Sequence, residues 1–164
     1  MSTLFDPVAA LRVLVQNDTR FVVIGGFAAI AWGSPAITHD LDICYDRRVD
    51  NLTHLVNALK SMDARLRGAP ENVPFILDER TLKMGDSFTF QTSTGSFDCL
   101  GVPAGTKGYD DLVSRSSEFP IEGMVIRFAS LDDLIAMKRA AARSKDRVHL
   151  ELLESLRDEI NRRA

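Results

Sequence analysis

The chain has 164 residues, of which 45% are hydrophobic and 26% are charged. This size and composition suit one compact domain with a substantial core, and they exclude two full domains and wholesale disorder. The formal net charge of −3 argues against a protein that coats nucleic acid through bulk electrostatics. The two cysteines, Cys44 and Cys99, have no His or Cys neighbours at zinc-ligand spacing, so we expect both to be reduced.

The sequence predicts neither a targeting segment nor a membrane span. Residues 1–7 lack a charged region followed by an apolar stretch. The longest apolar run, residues 21–32, is too short to cross a bilayer and contains two consecutive glycines. We therefore expect a cytoplasmic protein with no membrane partner.

The first third of the chain predicts alternating helices and strands. Apolar spacing predicts a helix over residues 7–16, with Asp6 as its N-cap. A run of β-branched residues predicts a buried strand over 20–24, and two glycines mark its end. An Ala-rich segment then predicts a short helix over 27–32. Strict alternation predicts a strand over 40–45.

The middle of the chain predicts one long helix and a hairpin. An amphipathic pattern predicts a helix over residues 51–62, and two prolines make residues 68–80 irregular. Two alternating runs, 87–92 and 96–100, predict a hairpin around Thr94-Gly95, which a glycine-rich loop follows over 101–108.

The last third predicts a small hairpin and two helices. The hairpin spans residues 121–128 and turns at Glu122-Gly123. Ser130 opens a helix with Asp133 three residues later, in a pattern close to a capping box. After a break at Arg143-Ser144, a final helix spans 146–163. Its predicted apolar stripe consists of Val148, Leu152, Leu153, Leu156 and Ile160.

This order of elements predicts an α/β or α+β domain. The predicted order is helix, strand, helix, strand, helix, hairpin and two helices. This order favours a central mixed sheet flanked by helices, with a C-terminal helical pair. The whole chain, 1–164, is then one domain, with a core over 20–129 and helices over 130–164.

Two consecutive glycines stand at the most informative point of the sequence, residues 22–45, VVIGGFAAIAWGSPAITHDLDICY. Without a Cβ, Gly25 and Gly26 let a bulky anion approach their backbone. Amides at the start of a helix also favour negative charge. The pair therefore predicts a phosphate-binding loop, and a plain strand-to-helix turn is the alternative interpretation.

Three acidic residues are candidates for catalysis and metal binding. Asp40 and Asp42 alternate along one predicted strand, so both carboxylates project from the same face, about 6.6 Å apart along the chain. Asp98, on the strand SFDCL, joins them if the two strands are neighbours. Hard cations such as Mg²⁺ bind carboxylate and phosphate oxygens together, and Asp98 is expected to bridge a metal ion or to act as a base. Solvated strand positions are the alternative interpretation.

Basic residues cluster around the joint between the last two predicted helices. Lys138, Arg143 and Lys145 are candidates for contact with a triphosphate, and Asp146 is placed to cap the final helix or to orient Lys138. The alternative is that these cations only compensate the dipole at the end of a helix.

The glycine pair, the short helix and the Asp-Leu-Asp strand together resemble the nucleotidyltransferase superfamily, whose catalytic core is shared with DNA polymerase beta. The run SLDDLIAMK…AARSKD, beginning at Ser130, resembles bacterial single-domain members related to AbiEii-type toxins and to lincosamide and aminoglycoside nucleotidyltransferases. The resemblance covers residues 21 to about 156. The chain has Ala36 where many relatives carry Arg, and His149 where AbiEii-like relatives often carry Asp.

The resemblance implies transfer of a nucleoside monophosphate from an NTP such as ATP to an acceptor, with release of pyrophosphate. It also implies that the cofactor is Mg²⁺, bound as two ions. The acceptor is open between a small molecule, a protein hydroxyl and an RNA end. The matching positions are a triphosphate loop (Gly25, Gly26), metal ligands (Asp40, Asp42), a third carboxylate (Asp98) and positions near the nucleotide (Lys138, Asp146).

Two other functions fit the same residues. One is a catalytically weak binding or antitoxin-like module of the same fold, with a toxin–antitoxin partner protein, suggested by the loss of Arg at Ala36. The other is a phosphoester hydrolase, which the scarcity of histidine disfavours.

Overall fold

The computed structural model describes residues 4–70, 72, 74–141 and 146–164. Its helices are α1 (Pro7–Gln16), α2 (Gly25–Ala31), α3 (Val49–Ser61), α4 (Glu79–Met84), α5 (Tyr109–Arg115), α6 (Leu131–Ala141) and α7 (Asp146–Arg163). Its strands are β1 (Phe21–Ile24), β2 (Asp40–Tyr45), β3 (Arg65–Leu66), β4 (Ser87–Thr92), β5 (Gly95–Leu100), β6 (Ser117–Ile121) and β7 (Met124–Phe128).

The strands form one sheet in the order β3-β4-β5-β2-β1-β7-β6. At its centre β1 runs antiparallel to β2, whereas β2 is parallel to β5 and β1 is parallel to β7. The predicted mixed sheet flanked by helices is confirmed. No helix in the described ranges is both long enough and apolar enough to cross a membrane.

The core lies where alternating strand residues meet the helices. Leu41, Ile43 and Tyr45 of β2 are buried, and so is every residue of β1. The helices α1 and α3 pack against each other and contribute buried leucines to the same core. Cys44 and Cys99 are free and buried, and burial raises the pKa of both thiols. One face of the central strands is therefore buried in the core and stabilises the fold.

The local signals for the helix starts are confirmed. The Asp6 carboxylate accepts a hydrogen bond from the backbone N–H of Ala9 at 3.0 Å. The Ser130 hydroxyl accepts one from the N–H of Asp133 at 3.1 Å. Both bonds satisfy donors that the first turn of a helix leaves without partners.

Several predicted boundaries were wrong. The helix α2 begins at Gly25, two residues before the predicted start, and α3 begins at Val49 rather than Asn51. The last hairpin is longer than predicted because β6 starts at Ser117, although its turn at Glu122-Gly123 is confirmed by the positive φ of both residues. Three short elements, β3, α4 and α5, were not predicted, since two to seven residues carry too little periodicity.

The predicted apolar stripe of α7 was wrong for two residues. The side chains of Val148 and Leu152 are exposed, whereas Leu153 is buried. The residues that pack against the core are Leu150, Leu153, Leu156 and Ile160. The buried side of α7 faces α6 and is rotated relative to the predicted stripe, because the partner helix determines which of the many apolar positions is covered.

A buried carboxylate fixes the end of β2. Asp46 accepts hydrogen bonds from Nε of Arg20 at 2.7 Å and from both the backbone N–H and the guanidinium of Arg48 at 3.0 Å. Burial acts to raise the pKa of Asp46, but these hydrogen bonds outweigh it and lower the pKa below its usual value. The cluster therefore ties β1, β2 and the start of α3 together through one negative charge.

We expect Asp46→Asn to destabilise the fold by about 2 kcal/mol at neutral pH, because charge-assisted hydrogen bonds to a buried carboxylate are lost. The pKa of Asp46 is lower in the folded chain, so its contribution is complete above about pH 4 and is lost as the pH falls through the lowered pKa. Urea unfolding at pH 7 and below pH 4 measures both effects. Asp110→Asn removes an exposed carboxylate that also pairs with Arg48 and should cost less. Equal losses for the two variants would contradict this account.

Candidate active site

The glycine pair lies directly against the acidic strand. Gly25 has a φ of +70°, and a Cβ built there would lie 2.1 Å from Oδ2 of Asp42. A Cβ on Gly26 would lie 2.9 Å from the side chain of Thr38. Both positions require glycine because another side chain already fills the space. The structure therefore brings the predicted phosphate loop and the predicted acidic strand into contact.

Three carboxylates share one face at the centre of the sheet. In the parallel pairing of β2 with β5, Asp42 lies opposite Asp98 and Asp40 lies opposite Ser96. Neighbouring strands are about 4.8 Å apart and residues two positions apart point the same way. The structure thus brings together Asp40, Asp42 and Asp98, as the alternation predicted. Their roles in metal binding and catalysis stay predictions.

The pKa of Asp42 is raised well above its usual value. Burial is the main cause, followed by the charge and the hydrogen bond of Asp98 and then by the charge of Asp40. The charge of Lys138 acts in the opposite direction. The carboxylate pair is therefore an unfavourable concentration of negative charge, which a proton or a cation would relieve.

Arg67 forms an ion pair with Asp98 that the sequence did not predict. This guanidinium also donates a hydrogen bond to the carbonyl oxygen of Phe90 at 3.1 Å. Arg67 follows the two-residue strand β3, where no periodic pattern marks the chain. Only the pairing of β3 with β4 carries it to the acidic centre, and no local signal in the sequence could have found it.

The glycine pair and the three aspartates line a cavity of about 520 Å³. Its polar side includes the glycine pair and the three aspartates, together with Lys138 and His149. Its apolar side consists of Ile24, Ala29, Ala36, Ile37, Leu100, Pro103, Ala104, Leu134, Met137, Ala141 and Leu153. The cavity has the size and mixed lining of a small-molecule site.

The remaining predicted site residues line the cavity or lie outside the described part of the chain. Lys138 lines the cavity from α6, and its contact with a nucleotide stays a prediction. Arg143 and Lys145 lie outside the described residues, and so does the side chain of Asp146, although its backbone begins α7. His149, which stands where AbiEii-like relatives often carry Asp, lines the cavity from α7.

The donor atoms suit a hard divalent cation. Carboxylate oxygens are the ligands that Mg²⁺ prefers, and Asp40, Asp42 and Asp98 offer them to one cavity. As the side chains stand, no group of three or more His, Cys, Asp or Glu residues within the described ranges could hold a metal ion. Asp98 has one oxygen committed to Arg67, so the residues fit the ion in kind but require a rearrangement to hold it.

Three solved structures resemble the chain over nearly its full length. The antibiotic-resistance factor ANT(2'')-Ia matches with a TM-score of 0.56 and 14% identity, covering 96% of this chain and 92% of its own. The lincosamide antibiotic adenylyltransferase LnuA, in a lincomycin-bound crystal structure, matches with a TM-score of 0.61 and 12% identity, covering 94% and 99%. A proposed nucleotidyltransferase from Thermotoga maritima matches with a TM-score of 0.52 and 15% identity, covering 98% and 97%.

The chain has the nucleotidyltransferase fold. No family model matches the sequence, and no curated protein matches it. At 12–15% identity the likeness establishes the fold, and the activity has to be argued from the site. None of these three structures is described as an AbiEii-type toxin, so that part of the resemblance stays a prediction.

We expect Gly25→Ala to destabilise the fold more than Gly123→Ala does. Both glycines have positive φ, but a Cβ at Gly123 would meet nothing within 4 Å. Gly123→Ala therefore measures backbone strain alone, about 1 kcal/mol, whereas Gly25→Ala adds the clash with Asp42. Urea unfolding of the two variants gives the difference. If both lose the same stability, the contact between Gly25 and Asp42 is not a constraint.

Proposed function

We propose that this chain is a divalent-metal-dependent nucleotidyltransferase. It moves a nucleoside monophosphate from an NTP to a hydroxyl acceptor and releases pyrophosphate. The observation that carries the proposal is the placement of Asp42 beside Asp98 and against the backbone of Gly25, in a cavity that Lys138 also lines. The nucleotidyltransferase fold supports it independently.

The roles of the residues follow from their chemistry. Asp40 and Asp42 would hold Mg²⁺, with Asp98 as a further ligand. When bound, the metal ions neutralise the triphosphate and stabilise the leaving pyrophosphate. Asp98 would accept the proton of the acceptor hydroxyl, whose oxygen forms the new bond to the α-phosphorus as the bond to pyrophosphate breaks. Lys138 supplies a cation for the phosphate oxygens.

We propose a small molecule as the acceptor. LnuA is a lincosamide antibiotic adenylyltransferase, and ANT(2'')-Ia is an antibiotic-resistance factor. The cavity of about 520 Å³ has an apolar side formed in part by Ile37, Pro103 and Met137, which suits the body of such a compound. An RNA end or a protein hydroxyl would need a longer surface outside this cavity.

One observation favours the alternative of a binding or antitoxin-like module. The acidic side chains within the described ranges are not arranged to hold a metal ion as they stand. A module without catalysis would tolerate loss of the acidic pair, whereas an enzyme would not. The same variants therefore distinguish the two functions.

Asp42→Asn should abolish Mg²⁺-dependent binding of the preferred NTP. A ligand at about 100 times its Kd stabilises a folded protein by about 2.7 kcal/mol, which a thermal-shift screen of four NTPs with and without Mg²⁺ detects. Wild type should show the shift with at least one NTP, and pyrophosphate release with an acceptor should follow it. Glu118→Gln removes a strand carboxylate on the edge strand β6 and should leave the shift intact. A shift that survives Asp42→Asn would point to the binding module.

Lys138→Met should weaken NTP binding about tenfold, since it removes a cation that lines the cavity. Arg139→Gln is the matched control, because Arg139 is the next residue of α6 but pairs with Glu154 at 2.7 Å. Titration of a fluorescent NTP analogue in the presence of Mg²⁺ measures both variants. Equal effects of the two substitutions would mean that Lys138 acts only through net charge.

A further inference from the structure

Arg67 is held beside the acidic centre by the backbone of β4. Its own N–H donates a hydrogen bond to the carbonyl oxygen of Thr89 at 2.9 Å, and its guanidinium donates to that of Phe90 at 3.1 Å. Thr89 is the register partner of Asp98 across the antiparallel pair β4–β5. The strand pairing thus delivers the guanidinium to Asp98 from the side opposite Asp42.

The ion pair between Arg67 and Asp98 compensates charge at the centre of the site. Asp98 lies beside Asp42 and is only 19% exposed, so its charge needs a nearby cation. Arg67 follows the edge strand β3, and its side chain is 35% exposed. The guanidinium can therefore reach solvent without opening the core.

A divalent cation and this guanidinium would compete for Asp98. Two positive charges a few ångströms apart repel each other, and each is attracted to the same carboxylate. With this ion pair formed, no group of three or more His, Cys, Asp or Glu side chains in the described part of the chain is arranged to hold a metal ion. Removal of the guanidinium would free the Asp98 oxygen that Arg67 occupies.

We propose that Arg67 is a built-in competitor of the divalent metal ion: it neutralises Asp98 when the carboxylate pair holds no cation, and leaves Asp98 when a divalent cation binds there. This inference rests on the proposed function, because it presupposes that the carboxylates bind a metal. Arg67 then sets the metal affinity of the site without being a ligand.

Direct Mn²⁺ binding tests the proposal without any need for activity. Mn²⁺ prefers the same oxygen ligands as Mg²⁺, and the loss of its free electron paramagnetic resonance signal reports binding. Arg67→Gln should bind Mn²⁺ about fivefold more tightly than wild type, the size expected from a partly exposed ion pair. Arg67→Lys keeps the positive charge but loses the planar guanidinium group, so its Mn²⁺ affinity should lie between those of wild type and Arg67→Gln.

Two controls separate competition from a general effect of charge. Arg65→Gln removes the same charge two residues earlier, at an exposed position of β3, and should change the affinity by less than twofold. In an Asp98→Asn background, Arg67→Gln should change Mn²⁺ affinity no more than Arg65→Gln does, because the competing contact is already gone. Urea unfolding of each variant confirms that it is folded.

The outcomes distinguish this inference from the proposed function. If wild type binds Mn²⁺ and Arg67→Gln binds it with the same or lower affinity, the competitor role is overturned. The metal site itself would still stand. An increase that Arg65→Gln reproduces would also overturn it. If neither wild type nor any variant binds Mn²⁺, the metal-dependent function fails together with the inference.

Discussion

The parallel pairing of β2 with β5 is the constraint on which the site depends. Its register places Asp42 opposite Asp98 on one face, while Ile43 and Phe97 are buried on the other. A slip by one residue would turn carboxylates into the core and apolar side chains out of it. The hydrophobic packing beneath the sheet therefore determines the position of the charges above it, and the same burial that stabilises the fold raises the pKa of Asp42.

The charges of the site are compensated from elements that are far apart in the sequence. Arg67 reaches Asp98 from the edge of the sheet, and Lys138 acts on Asp42 from α6. The missing Cβ of Gly25 lets the Asp42 carboxylate lie against the start of α2. Together they reduce the cost of an acidic centre in a half-buried position, where an unpaired carboxylate is unfavourable.

The local signals predicted much of the fold and most of the acidic centre. Strict alternation located β2 and β4, and the Asp-Leu-Asp pattern with Asp98 on a neighbouring strand gave three residues that the structure brings together. Arg67 was missed because its position depends on a pairing over a long sequence separation. The buried side of α7 was partly mispredicted because apolar residues such as Val148 and Leu153 occur on several sides of that helix, and only its contact with α6 selects among them.

The nucleotidyltransferase fold by itself does not distinguish an enzyme from a binding module, but the electrostatics of the site do bear on that choice. Burial and facing negative charges make the Asp42–Asp98 pair unfavourable in the folded chain. A module that needed only the shape of the cavity would be more stable with an amide at either position. Perturbed carboxylates of this kind cluster at functional sites. A bound cation, as proposed above, would relieve this charge, and the proposed competition from Arg67 for Asp98 would limit how readily that cation binds.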